Sequence, residues 1–193
     1  MKEYMKWRDG EKERLLSTPI FSVDKIERTS PDGKKGDFIL MENPDWVSVI
    51  PLMWKEGVGY VFIMVDQYRH GSGCVTREFP AGLTDEGEEK ERAARRELLE
   101  ETGMAGDLVE IASFNPNPAF MTNRQTFFLG LNLKKISEQD LDEMEDIEVS
   151  YVPVDEAIKE MGSGIYDNGI MMAGLGAFLR YITLHPEIME KRK

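Results

Sequence analysis

Residues 82–104 read GLTDEGEEKERAARRELLEETGM. Between 88 and 102 this run has neither glycine nor proline and is filled with Ala, Leu, Glu and Arg, which predicts a helix over 88–102. Gly103 stands where a C-terminal capping glycine belongs. On such a helix Glu97, Glu100 and Glu101 occupy i, i+3 and i+4 and share one face. Ala94 and Leu98, also four apart, share another and can pack on a sheet. Like charges at this spacing cost a few tenths of a kcal/mol each unless something neutralises them. Two readings fit: a solvated acidic face, or a site for hard cations built from oxygen ligands without His or Cys. The helix by itself leaves both open.

Working outward, β-branched and aromatic residues concentrate at 46–53 and 60–65, with a Lys55-Glu56-Gly57 turn between them, so both are expected strands. Further strands are expected at 75–79, 109–114, 125–133 and 148–152, and helices at 154–161 and 168–183. Upstream, 19–26 and 37–41 are β-like and flank a Ser30-Pro31-Asp32-Gly33 turn, so 18–43 is expected to form a hairpin. Residues 1–17 are densely charged and read as helical or loose. Strands, helix, strands, helices in that order suggest an α+β or α/β/α layered domain with a mixed sheet.

Composition sets limits. The 193 residues suffice for one domain with a small accessory piece. A net charge of −12 argues against binding long nucleic acid, whose affinity is dominated by phosphate contacts. It does not exclude small phosphate substrates, because a local cation site reverses the field. The single cysteine, Cys74, rules out an intrachain disulfide framework or a Cys-based zinc cluster and fits a reducing cytoplasmic setting. The N-terminus is too charged for a secretory signal. The longest apolar stretch, 170–178, is about half a membrane span and reads as a buried helix.

Gly82 is followed by five residues and Glu88, then by seven residues and Arg96-Glu97-Leu98-Leu99-Glu100-Glu101-Thr102-Gly103-Met104. The pattern Gly-x5-Glu-x7-Arg-Glu-U-x-Glu-Glu-x-Gly-U, with U apolar, is the signature of the Nudix hydrolase family, and all nine specified positions match. At residue frequencies of roughly 5–10% per strict position, a chance match falls below about one in a million per window. The chain thus resembles that family. The resemblance implies the Nudix fold, an α/β/α sandwich with a mixed sheet (α+β in class), plus a small N-terminal β-region. It implies metal-dependent hydrolysis of a P–O–P bridge with Mg²⁺ or Mn²⁺. The Ala81 carbonyl, Glu97, Glu100 and Glu101 are then the expected ligands, with Glu97 and Glu100 also counted as catalytic. Gly82 supplies the turn, Glu88 and Arg96 an internal ion pair, and Gly103 the helix end.

The likeness extends over about 18–185. Val65-Asp66-Gln67-Tyr68-Arg69, the Glu78-Phe79-Pro80-Ala81-Gly82 lead-in and the Pro118 loop are similar to the ADP-ribose and nucleoside-diphosphate-sugar pyrophosphatase branch. This implies residues 1–45 as an N-terminal β-rich region exchanged across a homodimer, and 46–193 as the hydrolase domain. It also implies a loop general base at Glu143 and a further metal ligand at Glu145, the alternative for each being a solvated carboxylate. Arg69, Glu78 and Arg124 are candidates for substrate phosphate or sugar, and Trp46 and Phe120 for stacking on a base. For the arginines the alternative is a plain surface role, and for Trp46 a core one. One departure is the loop Asn117-Pro118-Ala119-Phe120-Met121-Thr122-Asn123-Arg124, which replaces a Ser-Pro-Gly-type loop and opens the choice between ADP-ribose and other sugar nucleotides. The expected function is cleavage of a nucleoside diphosphate derivative into a nucleoside monophosphate and a sugar phosphate. The competing expectations are pool-cleansing of nucleoside triphosphates and non-catalytic nucleotide sensing. The expected partner is a small nucleotide, with no membrane involved.

Overall fold

The computed structural model describes residues 2–190. Two compact units emerge: the residues up to Asp45 joined by Asn115–Arg124, and Trp46–Phe114 joined by the chain from Gln125 onward.

The first unit is a three-stranded antiparallel sheet in the order β1 (Arg8–Ser17), β2 (Ser22–Thr29), β3 (Lys35–Glu42). The β2–β3 hairpin turns at Ser30–Gly33, where the Ser30 N–H donates to the Lys34 carbonyl at 2.8 Å. Residues 8–17 overturn the expectation of a helical or loose segment. They form a full strand, preceded by a 3-10 turn at Glu3–Met5. The reason is electrostatic: every residue of β1 is exposed, so no hydrophobic alternation marks it. Charge pairs across the strands mark it instead. Lys12 and Arg14 meet the fully buried Asp24, Arg14 also reaches Glu42 at 2.8 Å, and Arg28 reaches Asp9 at 2.9 Å. The segment 115–124 returns alongside β3, with the Met41 N–H donating to the Phe120 carbonyl at 2.8 Å.

The second unit is a seven-stranded mixed sheet flanked by helices. It contains β4 (Trp46–Lys55), β5 (Gly59–Arg69), β6 (Cys74–Glu78), β7 (Ala81–Leu83), β8 (Met104–Phe114), β9 (Gln125–Lys135) and β10 (Ile147–Pro153). The main order is β10-β5-β4-β9-β8, with β6 beside β5 and β7 beside β4. Among the described residues of this sheet only the β4–β9 pair is parallel. β4 pairs with β7 through 46–48 and with β5 from Leu52 onward, and Pro51 falls in the gap between these partners.

Alternation along the central strands builds two cores on opposite faces. Val47, Val49, Ile63 and Phe128 point to one face and pack with Ala93, Ala94 and Leu98 of α1 (Lys90–Thr102). Ile50, Leu52, Phe62, Met64, Phe127 and Leu129 point to the other. They pack with α2 (Val154–Glu160) and with Met171, Leu175 and Phe178 of α3 (Gly169–Leu184). Each fully buried large side chain contributes about 1.5–3 kcal/mol. The result is the α/β/α sandwich with a mixed sheet. No helix of the described residues is long and apolar enough to cross a membrane.

Several boundaries differ from expectation: β2 lies at 22–29 where 19–26 is expected, β5 runs on to Arg69, β7 is an added strand, and two further shifts have a local cause. The helix begins at Lys90, because Glu88 is held in a turn: its N–H donates to the Asp85 carbonyl at 3.0 Å, and its carboxylate accepts the Asp85 N–H at 3.1 Å. β8 begins at Met104, well before 109, because Gly106 and Asp107 interrupt its apolar pattern at a bulge.

Gly103 ends α1 at φ 69°, its N–H donating to the Leu99 carbonyl at 2.8 Å. A Cβ there would stand 2.2 Å from the Ser137 carbonyl oxygen. Gly103→Ala is therefore expected to destabilise the chain by about 2 kcal/mol or more, combining the left-handed penalty with a backbone clash. The shift in urea midpoint measures it, and an unchanged midpoint would contradict this account of the helix end.

Candidate active site

Sheet and helix meet at the short strand β7. Opposite β4, Ala81 pairs with Ser48 and Gly82 with Val47. Just before β7, the Pro80 carbonyl accepts the Val49 N–H at 2.8 Å, which pins the strand's entry. From the other side α1 delivers its carboxylates. Glu101 is buried and accepts the Ala81 N–H at 3.1 Å. Glu97 lies against Gly82 so closely that a Cβ on residue 82 would come within 2.1 Å of the Glu97 carboxylate. Glycine is thus required here by close approach.

Arg96 is the counter-charge. Its guanidinium reaches Glu88 at 3.1 Å, Glu97 at 2.7 Å and Glu100 at 3.1 Å, and donates to the Leu83 carbonyl at 3.0 Å. The bonds to Glu88, aided by the Glu97 charge, push its pKa up, so it is always charged. Glu88 in turn is pulled below the usual carboxylate range, chiefly by Arg96. This one residue ties the turn before the helix to two of the acidic positions.

The carboxylates facing β7 are less comfortable. Burial pushes Glu97 up, and the opposing pull of Arg96 does not cancel it. Glu101 is pushed well above the usual range by burial, then by Glu97 and Glu145, with the Ala81 N–H as partial relief. The solvated acidic face that the sequence leaves open does not hold for Glu101, which is 4% exposed. The sheet packs over the helix's last turn and covers it. Crowded carboxylates short of positive charge are the donor set a hard divalent cation takes, and the chain's residues fit one. Among the described residues no three acidic, His or Cys side chains converge tightly enough to hold an ion as they stand. Arg96 draws Glu97 and Glu100 aside, and the Ala81 N–H occupies Glu101.

The loop carboxylates divide. Glu145 acts electrostatically on Glu97, Glu101 and Arg69. Glu143, in the same loop, is exposed.

Beside Ala81 and Gly82 opens a cleft of about 350 Å³ whose walls include Trp46, Ser48, Arg69, Glu78, Gln125 and Asn168. Arg69 and Glu78 grip each other: Nε and Nη2 reach the two carboxylate oxygens at 3.0 and 2.6 Å. Thr76 and Asn168 also donate to Glu78. Burial raises the Glu78 pKa, but these donors, Arg69 first, outweigh it and hold it below the usual range. With its oxygens so occupied, buried Glu78 holds Arg69, and it is Arg69 whose guanidinium borders the cleft. Asn168 caps α3 by accepting the Ile170 N–H at 2.8 Å. Phe120 and Arg124 belong to the first unit. There the Arg124 N–H donates to Asp45 at 2.8 Å, and Phe120 is partly exposed.

Sequence reasoning missed Ser48, Gln125 and Asn168. Ser48 and Gln125 are polar residues in strands buried on both faces, a signal that was available. Asn168 before an apolar run is a readable helix cap.

Comparison with known proteins places the chain in a family. The NUDIX domain matches residues 44–169. An ADP-ribose pyrophosphatase of Bacillus subtilis is 34% identical over 159 residues, 81% of this chain and 84% of that one. A methanol dehydrogenase activator of Bacillus methanolicus is 28% identical over 182 residues, 93% and 94% of the two chains. Among solved structures, an ADP compounds hydrolase superposes with a TM-score of 0.79 over 93% of this chain and 96% of that one, at 20% identity, which speaks to the fold. The chain belongs to the Nudix hydrolase family. Hydrolases of this family generally depend on a divalent metal.

Proposed function

We propose that this chain cleaves the diphosphate bridge of ADP-ribose or a related nucleoside diphosphate sugar, giving a nucleoside monophosphate and a sugar phosphate. The observation that supports this most is the crowding of Glu97 and buried Glu101 against Gly82 and Ala81, beside a cleft bordered by the Glu78-clamped Arg69. Water adds to one phosphorus, and the bridging P–O bond breaks, its oxygen leaving on the other phosphate. Glu97, Glu100, Glu101 and the Ala81 carbonyl would hold Mg²⁺ or Mn²⁺. Such an ion, when bound, offsets phosphate charge and lowers the pKa of water. Arg69 presents its guanidinium to a phosphate oxygen, with Glu78 fixing its orientation. Glu145, whose field reaches Glu97 and Glu101, is our further ligand. Glu143 is the base that the family resemblance implies. Trp46 borders the cleft and is our candidate for stacking on the substrate, and Phe120 and Arg124 keep the substrate roles the resemblance implies.

We also propose a homodimer through the first unit, which exposes Trp7, Leu15, Leu16, Phe38 and Ile39, and a cytoplasmic setting in keeping with the free, exposed Cys74. A second reading, supported by the likeness over 93% of this chain to the B. methanolicus protein, is that the chain also activates a dehydrogenase.

The test is a panel of ADP-ribose, GDP-mannose, UDP-glucose, NADH, diadenosine polyphosphate and 8-oxo-dGTP, incubated with Mg²⁺ and resolved by mass. Nucleoside monophosphate plus sugar phosphate is the expected product pair. Cleavage confined to triphosphates would contradict the reading and favour pool cleansing. Tight binding without turnover would contradict it in favour of a sensor.

A further inference from the structure

The floor of the cleft carries two uncharged polar side chains, Ser48 and Gln125, each about 1% exposed. Gln125 Nε2 donates to Ser48 Oγ at 3.0 Å and, more weakly, to the Thr126 carbonyl at 3.4 Å. A carbonyl only accepts, so this second contact fixes which end of the amide faces the cleft. Gln125 Oε1 accepts no hydrogen bond from a described residue, and the Ser48 hydroxyl proton donates to none. An unfilled acceptor and an unfilled donor therefore lie side by side in a nearly buried floor. Both face the cleft, where a ligand group can take the place of water.

Position says which ligand group meets them. Ser48 is the direct ladder partner of Ala81, and antiparallel partners stand about 5 Å apart at Cα. A group that touches Ser48 is therefore close to Ala81, whose carbonyl is one of the ligands proposed above. A nucleobase is separated from the diphosphate by a whole ribose, so of the two a sugar is the nearer group to Ser48. The floor is also neutral, and Leu83, Ile170 and Met171 line the cleft near it. A phosphate is served by Arg69 elsewhere on the cleft wall, whereas at Ser48 and Gln125 a hydroxyl finds both a donor and an acceptor.

We propose that Ser48 and Gln125 recognise a hydroxyl of the second sugar, the one bonded to the β-phosphate and carrying no base, and that Gln125 sets the preference for a sugar over an alkyl or phosphoryl substituent. This rests on the diphosphatase reading above.

The experiment compares kcat/KM for ADP-ribose and for the β-methyl ester of ADP, which keeps the diphosphate and lacks the second sugar. Wild type, Gln125→Leu and Ser48→Ala are assayed with Mg²⁺ by AMP release, with thermal melting as a folding control. Wild type prefers ADP-ribose, and that preference falls about tenfold in each variant, the effect of one buried hydrogen bond. An unchanged preference ratio in the variants overturns the proposal. So does an equal loss on both substrates, which marks a structural role. If Gln125→Leu does not fold, the ratio in Ser48→Ala decides. A wild type that releases AMP from neither compound refutes the diphosphatase reading instead, and is distinct from either failure.

Discussion

Glu101→Gln lowers turnover about a thousandfold while the metal-free protein stays as stable as the wild type or becomes more so. The loss follows from removing a carboxylate from a cation site whose electrostatic contribution amounts to several kcal/mol, each 1.4 kcal/mol being about a factor of ten. The stability follows from burial. The amide oxygen of glutamine still accepts the Ala81 N–H, and the variant no longer hides an ionisable group crowded by Glu97 and Glu145. The pH dependence has a definite sign. A carboxyl whose folded pKa lies above the ordinary 4.5 holds its proton more tightly in the native state than when unfolded. Its contribution to stability is complete below 4.5 and is lost as pH rises toward the folded value. In EDTA, the melting-temperature advantage of Glu101→Gln over wild type therefore grows as pH is raised from 4.5 and then levels off. A variant that melts well below wild type at neutral pH would contradict the burial argument, and one with full activity would remove Glu101 from the site.

Gly82→Ala, a single methyl, costs turnover at least about a hundredfold. The added Cβ would sit 2.1 Å from Glu97 Cδ and Oε1 and 2.5 Å from Oε2. Backbone is not what it meets, so the chain folds and the Glu97 side chain swings away. Displacing a site group by about 1 Å is enough to cost two orders of magnitude. The expected signature is lost kcat with a melting temperature within a few degrees of wild type. Full activity in Gly82→Ala would mean that Glu97 works from another rotamer and that its contact with Gly82 is incidental. Collapse of the fold would mean that the glycine serves structure alone.

Glu101 and Gly82 also show what the sequence could and could not reveal. The helix, its capping glycine and the spacing of Glu97, Glu100 and Glu101 are local properties, and they stand where the pattern from Gly82 to Met104 puts them. The two-faced central strands are legible because Val47, Val49, Ile50 and Leu52 alternate between cores. What is not local was lost. The burial of Glu101 depends on β7 packing over the helix, which no helical period reveals. β1 was missed because its pairing rests on charges that find partners on β2 and β3, so its own residues carry no apolar rhythm. Glu78 is a substrate candidate through the resemblance of the 78–82 lead-in to the family branch. Its engagement with Arg69, Thr76 and Asn168 is tertiary. Ser48 and Gln125 lie far apart along the chain and are brought together only by the parallel β4–β9 pairing.

The central claim is that the α1 carboxylates and β7 form a metal-dependent diphosphatase site. Its most direct test is the hydrolysis of ADP-ribose by the wild-type chain in EDTA, then with Mg²⁺ restored, with products identified by mass. The prediction is no reaction in EDTA and stoichiometric AMP and ribose 5-phosphate once Mg²⁺ is returned. Equal hydrolysis with and without chelator, or none in either condition, would contradict it.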